Sequence, residues 1–101
     1  MIEVINIMAY YECTNSVEKT QTVSKTLSYP RFGGGAVDFI FDNLSEVKGI
    51  ISSSATSNDS RPQANMAILY FTISGNVVKA CIYNGDPNSR TNTVTITAMG
   101  N

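Results

Sequence analysis

The sequence contains no histidine and no tryptophan, and charged residues make up only 15% of its 101 positions. Without histidine the chain lacks the commonest general base, the usual nitrogen ligand for metals and every triad built on imidazole. Charge is balanced as well as scarce: seven basic and eight acidic residues leave a net charge of −1, with no run of either sign. Such a chain offers no electrostatic footprint to nucleic acid or to an anionic membrane surface. Long apolar runs are missing too, and none approaches the roughly 20 residues that a helix needs to span a bilayer, so membrane insertion is not expected. The start, Met1-Ile2-Glu3-Val4-Ile5-Asn6-Ile7, has no basic flank, long apolar stretch or small-residue cleavage site of a secretory leader. In that context Cys13 and Cys81, the only cysteines, are expected as free thiols.

Ten Thr, eleven Ser and ten Asn fill the place of the missing charges. Neutral polar residues in that proportion favour strands with hydroxyl outer faces and Asn- or Ser-bearing turns over helices laced with Glu and Lys. The length suits a single domain, 1–101, with one core.

The clearest pattern lies in the last third. Ala67, Leu69, Phe71 and Ile73 alternate with Met66, Ile68, Tyr70 and Thr72, and Val78, Ala80 and Ile82 continue the same period of two. Ser74-Gly75-Asn76-Val77 lies between them. A type II′ turn with Gly75 at the position of positive φ sets Ile73 opposite Val78, Phe71 opposite Ala80 and Leu69 opposite Ile82. Every inward residue then meets another, which a one-residue slip would destroy.

Elsewhere, Val94, Ile96 and Ala98 share one face of a closing strand, Thr91 to Met99, whose other face carries Thr93, Thr95 and Thr97 and is expected to be wet. Val37, Phe39 and Phe41 alternate with Asp38, Ile40 and Asp42, and Val47 to Ser52 follows closely enough to pair with them, with a bulge at Gly49. Thr20 to Tyr29 reads as an edge strand, because Lys25 interrupts its inward row of Val23 and Leu27. Ile2 to Cys13 is apolar on both faces, as a central or interface strand would be. Ser52 to Gln63, Arg31 to Gly35 and Asn84 to Ser89 read as loops, and at most one helical turn is expected, at Asn43 to Val47. About seven short strands make an antiparallel β-sandwich, or a small barrel, the economical all-β architecture.

No catalytic, metal or cofactor site is expected. Cys13 and Cys81 lack a neighbouring base to generate a thiolate. Gly33-Gly34-Gly35 lacks the Lys-Ser/Thr ending of a phosphate loop, and Asn84, Asp86 and Asn88 lack the Gly and Glu that complete a calcium loop. Asp38 and Asp42 face outward and are explained by solvation. The aromatic residues divide differently: Phe39, Phe41 and Phe71 fall in inward rows, whereas Tyr10, Tyr70 and Tyr83 fall on the opposite faces of their strands. Beside Met8, Ile68 and Val77 these tyrosines form a candidate surface for subunit contact or for stacking a sugar, both of which use an amphipathic ring.

Two stretches, Val23-Ser24-Lys25-Thr26-Leu27-Ser28-Tyr29-Pro30 leading into Val37-Asp38-Phe39-Ile40-Phe41, and Tyr70 to Met99 closing on Thr97-Ala98-Met99-Gly100-Asn101, resemble the small β-sandwich modules that end bacteriophage tail fibres and baseplate appendages. The resemblance covers most of the chain after about residue 20 and rests on strand rhythm and on Asn/Ser/Thr richness. It implies a non-enzymatic structural or attachment module on a virion, homotrimeric, touching other virion proteins and glycans of a host surface. Outside that resemblance the expected location is cytoplasmic. The alternative is a stand-alone monomeric carbohydrate-binding module, in which Tyr10, Tyr70 and Tyr83 stack sugars and the polar loops supply hydrogen bonds.

Overall fold

The computed structural model describes residues 18–58 and 65–101. Six strands occupy 71% of them, with no helix among them: β1 (Lys19–Tyr29), β2 (Gly34–Ile40), β3 (Val47–Ser57), β4 (Ala67–Ser74), β5 (Val77–Tyr83) and β6 (Arg90–Gly100). They form two antiparallel three-stranded sheets, sheet A in the order β1-β6-β3 and sheet B in the order β2-β5-β4. The Ile2 to Cys13 segment, with Met8 and Tyr10, lies outside the described residues.

The β4–β5 hairpin turns at Gly75-Asn76 as expected. Gly75 has φ of +60° and Asn76 does not share the positive sign, which is the type II′ arrangement and suits a residue without a Cβ at the first position. Ser74 pairs with Val77, Ile73 with Val78 and Phe71 with Ala80. The third expected pair does not form. Ile68, not Leu69, faces Ile82, because the register shifts between Ile68 and Tyr70 and leaves Leu69 as the extra residue of a bulge. The bulge reverses the phase of the strand's start, so Met66 is buried and Ile68 packs against the core instead of facing outward.

One core joins the sheets in a sandwich-like arrangement. Phe39, Val78, Ala80 and Ile82 come from sheet B, Val47, Val94, Ile96 and Ala98 from sheet A, and Phe41, Leu44 and Met66 from the connections. Fully burying such a side chain contributes about 1.5–3 kcal/mol. The expected pairing of Val37–Phe41 with Val47–Ser52 does not occur. The chain crosses between sheets at residues 41–46, where Leu44 N–H donates to Phe41 O at 3.0 Å in a turn that takes the place of the expected helical turn, so β2 pairs with β5 and β3 with β6. Near Gly49 the expected bulge is present between Val47 and Gly49, and a second lies between Ile50 and Ser52. Beyond it β3 continues to Ser57, through residues whose polarity reads as loop.

β6 is the middle strand of sheet A, and its outer row is half-buried rather than wet. Thr97, Thr95, Thr93 and Thr91 bond the hydroxyls of Thr22, Ser24, Thr26 and Ser28 on β1 at 2.8, 2.8, 3.4 and 2.7 Å. On the other side they face Ser52, Ser54 and Thr56 of β3, so no charge stands on the paired positions of this face.

Candidate binding surfaces

The two long edges of the molecule, where sheet A meets sheet B, differ in how they are finished. At the first edge β1 runs beside β2 and side chains bridge them. Gln21 Nε2 donates to Asp42 Oδ1 at 2.9 Å, and its Oε1 accepts from Asn43 N–H at 3.0 Å. Lys25, the charge in the inward row, lies with Nζ 5.7 Å from the Phe39 ring centroid. Among the described strands β1 pairs only with β6, so its place at the edge matches the sequence reading.

At the second edge β3 runs beside β4. Their ends are tied: Val47 N–H donates to Gly75 O at 2.8 Å, and Ser57 N–H donates to Asn65 Oδ1 at 2.7 Å. Between those ties the second bulge of β3 and the bulge of β4 leave large apolar extra residues: Ile51 is 54% exposed and Leu69 57%. Ile73, in the inward row of β4 but at its margin, is 41% exposed, and Tyr70 beside Leu69 is 60% exposed. A bulge interrupts the ladder and discourages a further strand from adding there. What this edge offers a neighbour is therefore side-chain surface.

Tyr70 continues onto the outer face of sheet B, opposite Cys81, where Val77, Lys79 and Tyr83 also stand. A hydrogen bond with Cys81 raises the Tyr70 phenol above its ordinary value. Val77 is half-buried beside exposed Ile40, its partner on β2. Of the residues expected on one surface, Tyr70, Tyr83 and Val77 thus share this face, and Ile68 does not. Leu69, Ile51 and Asn65 were not legible as surface features, because no composition signal marks where a bulge flips an apolar run.

Tyr83 stands at the far end of that face, beside a cavity of about 570 Å³ that it lines with Asn65, Ala67, Gly85, Asp86 and Pro87. The loop on the cavity's rim is held by Asn84, which is buried and uses its side chain as a hub. Its Nδ2 donates to Tyr29 O, Pro30 O and Asn88 O at 3.3, 3.0 and 3.0 Å, and its Oδ1 accepts from Asp86 N–H at 3.1 Å. Asp86 repeats the motif, accepting from Asn88 N–H at 2.8 Å, and its Oδ2 lies 3.2 Å from Arg90 Nε. The hydrogen bond from Asn88, with Arg90 alongside, lowers the Asp86 carboxyl below its ordinary value despite the opposing effect of burial. The loop is thus fixed before any ligand arrives.

Compared with known proteins, the chain matches no family model, no curated protein and no solved structure. Among the described residues no group of three or more His, Cys, Asp or Glu side chains could hold a metal ion, and no helix is long and apolar enough to cross a membrane.

Proposed function

We propose that this chain is a non-enzymatic structural and attachment module that assembles as a homo-oligomer, of the kind that decorates a bacteriophage particle. The observation that carries the reading is the unfinished β3/β4 edge, where Ile51, Leu69 and Ile73 are exposed along strands whose bulges discourage strand addition, with Tyr70 exposed on the adjoining outer face. Exposed apolar side chains gathered along one edge in this way mark a contact site. A second copy of the chain is the favoured occupant: with a net charge of −1, self-association meets almost no electrostatic repulsion. Other virion proteins are the further partners that the resemblance adds. A stand-alone monomeric carbohydrate-binding module is the second reading, favoured by the cavity beside Tyr83.

Light scattering and sedimentation of the full chain test the proposal. The expected result is a discrete oligomer at micromolar concentration that becomes a folded monomer in the Ile51→Glu/Leu69→Glu variant. A wild-type chain that stays monomeric at high micromolar concentration overturns it and leaves the second reading.

A further inference from the structure

We infer that the cavity beside Tyr83 is a subsite for one neutral pyranose, with Asp86 as the group that turns away acidic sugars. This rests on the attachment reading and adds to it the place of contact and the class of ligand. A pyranose has an apolar C–H face and a rim of hydroxyls, and the cavity supplies a partner for each. Tyr83, 38% exposed, offers an aromatic surface beside the ring of Pro87. Asn65 has its Oδ1 committed to Ser57 N–H at 2.7 Å, which leaves its Nδ2 as a donor for a sugar oxygen. Asp86 Oδ1 accepts from both Asn88 N–H and Asn88 Nδ2, and Oδ2, which faces Arg90, keeps one lone pair that can accept from a sugar hydroxyl. Size agrees as well: about 570 Å³ lies inside the roughly 300–1,000 Å³ typical of small-molecule sites.

Charge narrows the class. Asp86 is ionised at neutral pH, as an ordinary aspartate is, and Arg90 is directed at Asp86 and does not line the cavity. A carboxylate-bearing sugar or a phosphate would meet an anion with no cation among the described lining residues to offset it. Gly85 sets the width. A Cβ built there would lie 3.3 Å from Tyr83 Cε2, so Gly85→Ala crowds the aromatic wall without reaching the core.

The test is an NMR titration of the ¹⁵N-labelled full chain with the methyl glycosides of galactose, glucose, mannose and N-acetylgalactosamine, and with the methyl glycoside of sialic acid as the anionic probe. The expected result is a saturable shift of the Tyr83, Gly85, Asp86 and Asn65 amides with at least one neutral glycoside, at a Kd around 1 mM. The sialoside is expected to bind at least about tenfold more weakly, a gap that Asp86→Asn narrows. Tyr83→Ala and Gly85→Ala should each weaken the neutral sugar at least about tenfold while amides elsewhere stay in place. The inference is overturned if no neutral glycoside shifts those amides, if the shifts survive both variants, or if the sialoside binds as well as the neutral sugars. The oligomer is scored separately: a monomer that shows the shifts keeps the subsite and loses the assembly, and an oligomer without them does the reverse.

Discussion

Along the β1/β2 edge, Gln21 reaches Asp42 and Asn43, Lys25 lies over Phe39, and Asn84 pins the turn that joins the two strands. Along the β3/β4 edge, the hydrogen bonds among the described residues close the two ends, and the middle presents Ile51, Leu69 and Ile73 to solvent. Both edges confront the same problem, the margin of a two-sheet core. Polar side chains that reach across solve it at the first. At the second, bulges deter strand addition and leave apolar side chains uncovered, which makes sense if another surface covers them. An edge that is sealed internally and an edge left uncovered can thus be told apart by what the side chains at the margin bond to.

The largest effect is expected at the sealed end. Asn84→Ala removes the side-chain donor to the carbonyls of Tyr29, Pro30 and Asn88, of which Pro30 O keeps Gly33 N–H, together with the acceptor of Asp86 N–H, and should lower stability by about 2–3 kcal/mol, read by urea unfolding. A loss under about 0.5 kcal/mol would mean that the turn is held by other contacts. Next comes the unfinished edge: Ile51→Glu with Leu69→Glu should weaken self-association roughly tenfold to a hundredfold, by sedimentation, while the monomer's unfolding free energy changes little. If instead monomer stability collapses, those side chains belong to the core and the contrast between edges fails. Lys25→Ala should cost about 0.5–1 kcal/mol through the lost contact with Phe39, with no change in association. The smallest effect is a matter of pH. The folded Asp86 carboxyl titrates below its unfolded value, so its contribution is complete above the unfolded value and disappears as pH falls through the folded one. Asp86→Asn should flatten that acid limb of the unfolding curve and leave stability at pH 7 and above without slope from this group.

How far the residues alone lead depends on whether two signals agree. At Gly75-Asn76 the turn chemistry and the alternation on both sides point to one register, and the structure has it from Phe71 to Ala80. Four residues further on, Met66 to Phe71 is apolar at nearly every position, so alternation carries no phase and the bulge at Leu69 leaves no mark. Ser52 to Ser57 fails for the opposite reason: Ser, Ala and Thr give no apolar row, and only the neighbouring hydroxyls of β6 show why they form a strand. Pairing β2 with β3 followed the tendency of consecutive strands to be neighbours, and the core made the chain change sheets. The tyrosines were readable as outward, but the cavity was not, because Asn65 and Ala67 meet Tyr83 and Asp86 only through the fold.

The hydroxyl rows on sheet A have a consequence of another kind. Each Thr of β6 makes a hydroxyl–hydroxyl hydrogen bond with a Ser or Thr of β1, and none of these groups titrates near neutral pH or attracts counter-ions. That face carries no ionisable group on its paired positions, whereas the other outer face carries Asp38, Lys79, Cys81 and Tyr83. The molecule therefore has a hydroxyl-lined back and a front that bears ionisable side chains, an orientation built into a chain with almost no net charge.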